Sequence, residues 1–343
     1  MMRHFYYTVQ TLLHERGVNI IKIISMTLGI FVGILLFSCV AFQLSYYNFC
    51  PQSEQLYVTY MDGPFTYSPF SAAMRENFPK EVEDATILRD MGTNVFYNGN
   101  VRLTESTIYA DEHLFSTLGL KLLIGKAEEL TRPDVLFISR SLAEKMGGIE
   151  KVEGLTIIPD ENPGLEVTIG GVFEDLPQNA SLRYDMLVAM SGMDPESLNN
   201  WLGNDRYAGY VRLSPGVTPD SLTPAIHDMT LRHHDQEALR KSGYELTYTL
   251  RPLLDLHSKA GEVKNMVMML GILAFALLFT AIMNYILITI SSIVNRTKEV
   301  AVHKSYGASE GNIYSMIMSE TFVHMMISLL LAIFIIFLCQ DVI

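Results

Sequence analysis

Cysteine is scarce in this sequence, three residues in 343, and three cannot build a disulfide framework. Cys39 lies inside an apolar run, while Cys50 and Cys339 fall near one face of it. A Cys50–Cys339 bond is one option, and free thiols are the expected state. Basic residues are also short: 25 Lys and Arg stand against 37 Asp and Glu, a net charge of −12. That balance argues against a nucleic-acid partner. No phosphate-cradling loop is present, because Gly125-Lys126 runs into Ala127 and has no upstream glycine at the required spacing. Neither a His-Glu-x-x-His run nor a nucleophile elbow occurs. An enzyme reading therefore has little to stand on, and a nucleotide would have to be handled by another chain.

What the chain has in abundance is long apolar runs. Ile23–Tyr46, Met266–Ile290 and Ile313–Leu338 each exceed the roughly 20 residues that a helix needs to cross a bilayer core. The first run is too long for the core of a cleaved signal peptide and passes straight into Tyr46 and Tyr47, which suit the membrane interface. The Leu-Phe-Ser-Cys sequence ending at Cys39 is a poor lipidation site, since Val-Ala-Phe follows and keeps that cysteine in the apolar run. Arg3, Arg16 and Lys22 precede the first run, and no Lys or Arg follows until Arg75. By the positive-inside tendency the N-terminus is cytosolic. Arg296, Lys298 and Lys304 independently put the segment between the second and third runs on the same side.

The implied organisation is a cytosolic or interfacial segment 1–22, a first span 23–47, an outer domain 48–264, a second span 265–290, a cytosolic segment 291–312, a third span 313–338 and an outer tail 339–343. In segment 1–22, Phe5, Val9, Leu12 and Leu13 recur at helical spacing among charged residues, as in a helix lying on a membrane surface.

The outer region reads as α+β. Gln55–Tyr60 alternates as a strand, Phe70–Asn77 suits a helix and Ala85–Leu88 returns as a strand. A matching unit closes the region: strand Tyr207–Leu213, helix Pro219–Leu239 with Thr218 as its N-cap, and strand Tyr244–Leu250. These two βαβ-like units bracket an insertion, Met91–Arg206, expected to form a second subdomain. Within it lie a helix Ser139–Met146, closed by Gly147-Gly148, and a strand Val167–Phe173.

Several residues are candidates for chemistry. His227, Asp228, His233, His234 and Asp235 are the densest set of possible metal ligands, but on a helix they do not converge. We read them as a solvated helix face and assign no metal. Glu320 and His324 are one turn apart inside the third run. Ionisable groups there are costly and face a partner or water. They form either a relay between themselves or, for Glu320, a structural contact with a neighbouring helix or the basic segment. Asn284 in the second run is expected to bond across helices. Gly29 and Gly33 form a small-xxx-small step that lets helices approach closely.

The segment Arg296–Ser309, RTKEVAVHKSYGAS, carries more than charge. A bare topological anchor needs only bases, whereas this one adds Glu299, Val300, Val302 and a helix-ending Gly307. It resembles the cytosolic segment of FtsX-like ABC-transporter permeases, approximately R-x-K-E-[IV]-A-V-R-K-x-x-G-A. Arg296, Lys298, Glu299, Val300, Ala301, Val302, Lys304, Gly307 and Ala308 match, and His303 stands where the family has Arg. The outer region is similar to a MacB-type periplasmic core domain. Val135, Ile138, Ser139, Leu142, Ala143 and Gly147 match one of its runs, and Gly171, Val172, Phe173, Asp175, Leu176, Pro177, Asn179 and Ser181 match another.

The resemblance implies a permease subunit in a bacterial inner membrane, with a multi-pass topology and a periplasmic domain. A separate cytosolic ATPase would bind ATP and dock on Arg296, Lys298, Glu299, Val300, Val302, His303, Lys304 and Gly307. It implies no cofactor in this chain. It also implies a second permease copy or half, membrane lipids around the helices, and a periplasmic adaptor or outer-membrane partner in some members. Substrates of such permeases lie outside the inner membrane. The family has at least a fourth membrane helix, so the sequence reads as its N-terminal portion. A non-transporting transmitter that switches a cell-wall enzyme or sensor is the alternative. A membrane-anchored outer binding protein is the more distant one.

Overall fold

The computed structural model describes residues 16–61, 63–181, 183–202, 207–234, 241, 243, 246–295, 297, 301–302, 305 and 310–339. They divide into two compact units, one made of residues 1–44 with 261–343 and the other of residues 45–260.

The first unit consists of three long helices: α1 (Arg16–Leu44), α7 (Gly261–Asn295) and α8 (Glu310–Cys339). Gly17–Leu44, Gly261–Val294 and Ile317–Cys339 are each long and apolar enough to cross a membrane. Arg16–Leu44 is helical throughout, so the first helix extends back past residue 23 and Lys22 falls inside it. It stops at Leu44, before the two tyrosines. Tyr47 has turned into the left-handed region at φ 65, which an α-helix cannot continue through.

The second unit is built on one mixed sheet of ten strands. These are β1 (Leu56–Tyr60), β2 (Val82–Asn98), β3 (Val101–Ala110), β4 (Leu122–Ile124), β5 (Val135–Ser139), β6 (Thr156–Pro159), β7 (Val167–Phe173), β8 (Met186–Ala189), β9 (Ala208–Leu213) and β10 (Thr249–Pro252). Nine run in the order β10-β1-β9-β2-β3-β8-β5-β7-β4, and β6 pairs with β2 and β7. The helices bearing on the argument are α2 (Phe70–Asn77), α3 (Leu114–Leu118), α4 (Arg140–Lys145), α5 (Pro219–Leu231) and α6 (Leu253–Ser258).

The two strand–helix–strand units are present, the second with its helix ending at Leu231 rather than Leu239 and its last strand at Thr249–Pro252 rather than Tyr244–Leu250, and they interleave. β9 lies between β1 and β2, and β1 lies between β9 and β10, each pair antiparallel. Each unit is thus a split βαβ whose missing strand the other supplies. The insertion does not form a separate sheet. β2 continues past a bulge between Asp90 and Thr93 to Asn98 and carries the pairing over to β3 and β6. That long strand was half hidden in the sequence, since Arg89 to Asn94 is polar and interrupts the apolar alternation.

Local chemistry explains most boundaries. β5 reads Val-Leu-Phe-Ile-Ser and is buried throughout, as expected of a strand covered on both faces. Val135 and Phe137 join one apolar cluster with Leu56, Phe115 and Tyr210. Leu136 and Ile138 join another with Leu142, Ile157 and Ile169. A third cluster sets Phe70 and Met74 of α2 and Leu222 and Ile226 of α5 against Val211 and Leu213. The Ser139 hydroxyl caps α4 by accepting the Leu142 amide. Thr218 sits at the N-cap of α5 but makes no such bond there; Pro219 opens that helix instead.

Candidate functional site

The three-helix unit buries an unusual set of side chains. Lys22 of α1 is 1% exposed, and His324 and Ser328 of α8 are fully buried. Taking a charge out of water costs several kcal/mol unless a partner offsets it. The Lys22 ammonium lies 3.5 Å from Glu320 Oε1 of α8. His324 turns the other way, with Nδ1 3.3 Å from the Tyr285 hydroxyl of α7. The Asn284 amide of α7 donates to Ser25 Oγ of α1. Each pair of helices therefore shares at least one polar contact, and Ser328 Oγ adds another by donating to the Ile23 carbonyl at 3.2 Å.

Close approach of α1 and α7 depends on the two glycines. A Cβ on Gly29 would lie 2.2 Å from Ala281 Cβ, and one on Gly33 would meet Leu278 Cδ2 at 2.9 Å. Both distances are inside van der Waals contact, so only hydrogen fits. Glu320 and His324 share a face but have different partners, one on α1 and the other on α7. Glu320 engages Lys22, one of the bases that the sequence reading used to place the N-terminus in the cytosol. Ser25, Tyr285 and Ser328 were not singled out by sequence reading. The available signal was the 320, 324, 328 spacing, which puts three polar residues on one stripe of an apolar helix.

Of the expected coupling residues, Arg296, Lys298, Glu299, Val300, His303, Lys304 and Gly307 lie outside the described residues. Val302 is helical and 54% exposed.

In the second unit, the ring of His233 stacks on Trp201 at 4.2 Å. His234 is buried, with Nε2 3.1 Å from the Tyr248 hydroxyl. Burial, with a smaller contribution from His233, holds the His234 ring below the usual imidazole range. His227 and Asp228 are exposed, and Asp235 lies outside the described residues. All three cysteines are free. Cys50 is buried, which pushes its thiol up to about 11 against a smaller opposing pull from Arg212.

Residues 20–229 match the model of the MacB-like periplasmic core domain, and residues 271–343 match that of the FtsX-like permease C-terminal region. The chain belongs to the MacB- and FtsX-like permease family. Among solved structures, a domain of a protein from Porphyromonas gingivalis described as a permease is 37% identical, with a TM-score of 0.54. That likeness covers 60% of this chain and 92% of the other. The periplasmic region of MacB from Actinobacillus actinomycetemcomitans is 14% identical with a TM-score of 0.41, over 61% of this chain and 94% of that one. Comparison with curated proteins returns no match. As a member of this family the chain is an ABC-transporter-type permease or a related membrane component, not a classical enzyme. It is a membrane protein with a periplasmic domain, and such permeases generally work with an ABC ATPase partner.

Proposed function

We propose that this permease couples ATP hydrolysis by a separate cytosolic ATPase to movement of its periplasmic domain, for export or extraction of a substrate lying outside the inner membrane. The N-terminus and the Arg296–Ser309 segment face the cytosol, and the three helices make a multi-pass anchor. The observation that carries this reading is the composition of that segment. Between two spans it sets Arg296, Lys298 and Lys304 beside Glu299, Val300, Val302 and Gly307, a pattern that topology alone does not require. The ATPase closes on ATP and displaces this segment, and α7, which precedes it in the chain, carries the displacement toward residue 260, the last residue of the periplasmic domain. Rigid elements with two discrete arrangements transmit such displacements. A second permease copy or half completes the assembly, as the family's pattern implies.

The test is co-purification with the ATPase, comparing the wild-type chain with a Glu299→Lys, Lys304→Glu variant. Loss of retention with an unchanged elution volume supports docking at this segment. Full retention of the ATPase by the variant contradicts it.

A further inference from the structure

A second buried set of charges lies in the periplasmic domain, where β3 ends and α3 begins. Asp111 and Asp84 are each 15% exposed in their side chains. Asp111 accepts a short hydrogen bond from Thr86 Oγ1 of β2. Its nearest cation is Arg75 of α2, 3.7 Å away, and that guanidinium also donates to the Ala85 carbonyl. Two residues on, His113 Nδ1 is 2.8 Å from Asp84 Oδ1, and Ser116 Oγ donates to the other oxygen of the same carboxylate. Glu112 lies 3.6 Å from the second ring nitrogen of His113. From β9, Arg212 stands in register opposite Asp84, and its guanidinium donates to Gln52. The charged groups facing the junction are thus Arg75, Asp84, Glu112, His113 and Arg212.

The junction leads directly into a structural contact. Leu114, Phe115 and Leu118 of α3 pack in the same apolar cluster as Tyr47 and Cys50. Gly119, at φ +67, lies so close to Pro51 that a Cβ would be 2.8 Å from the ring. Residues 47–51 follow the first span in the chain, so α3 braces the strap by which that span joins the domain.

We propose that the segment from Asp111 to Gly119 is a proton-operated joint, closed when Asp111 carries a proton and His113 is charged, and loosened when both lose their protons. The geometry makes the two groups act in one direction. An ionised Asp111 is buried with Thr86 as its donor, Arg75 3.7 Å away and a weaker pull from His113, which together do not offset its burial, whereas a protonated one keeps its bond to Thr86 without the desolvation cost. Burial accordingly raises Asp111 to about 6. The Asp84 carboxylate raises His113 above the ordinary imidazole value. A carboxylate raised in the fold opposes folding when ionised, and this cost disappears as pH falls through about 6. A raised histidine contributes fully below its unfolded value and stops contributing as pH climbs through its folded one. Both therefore tighten the joint in mild acid and release it above neutrality. Asp84 is lowered, with burial opposing the bonds from His113 and Ser116. Its contribution holds above the ordinary carboxylate range and is lost below it, which sets the acid limit of the closed state.

The experiment is amide hydrogen exchange on the full chain in detergent micelles, at about pH 5.5 and about pH 7.5, with rates corrected for intrinsic chemistry. Amides 111–120 are expected to be about tenfold better protected at the lower pH, with a midpoint near 6. Asp111→Asn keeps a neutral side chain there and is expected to lose the Asp111 part of the response, leaving that of His113. Asp111→Asn with His113→Gln is expected to respond not at all. Equal protection of wild type at both pH values overturns the proposal, as does a full response retained by Asp111→Asn. If Asp111→Asn does not fold, Thr86→Val decides the matter. Without the hydroxyl the ionised form loses a donor, so the midpoint must move to higher pH, and an unmoved midpoint overturns the joint.

Discussion

The two units of this chain obey opposite packing rules. In the periplasmic domain Phe137, Phe173 and Leu56 are buried to 1% or less, and charges cover the surface. In the helical unit Phe275, Phe279, Phe334 and Phe337 are all more than half exposed, while Lys22, His324 and Ser328 are within 1% of full burial. Residues 45–260 carry 31 acidic and 18 basic side chains, and the rest of the chain carries 6 and 7. The difference follows from the solvent. Water drives apolar groups inward, but lipid is as apolar as leucine and does not, so polar contacts and close approach hold the helices together.

The largest effect that can break this comparison is at Lys22–Glu320. Glu320→Ala removes the carboxylate beside a buried ammonium and is expected to cost about 3–5 kcal/mol in detergent-driven unfolding. Lys22→Met with Glu320→Met, which removes both charges, is expected to come close to wild type. If single and double variants lose the same amount, the pair is not a unit. Phenylalanine truncation gives the next contrast. Phe137→Ala is expected to destabilise the periplasmic domain by about 3–5 kcal/mol. Phe275→Ala, 69% exposed, is expected to cost under about 1 kcal/mol in the same unfolding assay. Equal losses would mean that α7 buries this face against protein. Gly29→Val should force α1 from α7, at about 1–3 kcal/mol, and should do so without touching the periplasmic domain's melting. The smallest effect is a pH slope. His234 is lowered by burial, so the unfolded state takes the proton first and stability is lost as pH falls below about 6.5. His234→Gln is expected to flatten that limb of the thermal stability profile, opposite in sign to the Asp111–His113 effect.

The sequence made the elements legible where one period dominated. Phe70–Asn77 and Val167–Phe173 have the predicted bounds because each is short, uniform and sharply ended. β2 was foreshortened because residues 89–95, around its bulge, are exposed or half-exposed and tolerate polar Thr93 and Asn94, before Phe96 returns to the core. The interleaving of the split units could not be read at all, since strand order depends on pairings between residues more than one hundred positions apart. At the polar layer, Glu320, His324 and Asn284 stood out as polar residues in apolar runs. Their partners did not, because nothing local couples Lys22 to a residue 298 positions away. The burial of Lys22 was not legible for the same reason: a lysine at the edge of an apolar run has the same sequence signature whether it faces water or turns inward.

The account rests on the helical unit being immersed in lipid, with the 296–309 segment and the periplasmic domain in different compartments. Thiol labelling of intact cells tests this most directly, with Cys39, Cys50 and Cys339 replaced and a single cysteine placed at Val302 or at Leu165. An impermeant maleimide is expected to label the Leu165→Cys protein from outside, and the Val302→Cys protein only after the inner membrane is opened. Labelling of both from outside would contradict the topology and remove the basis for a cytosolic motor.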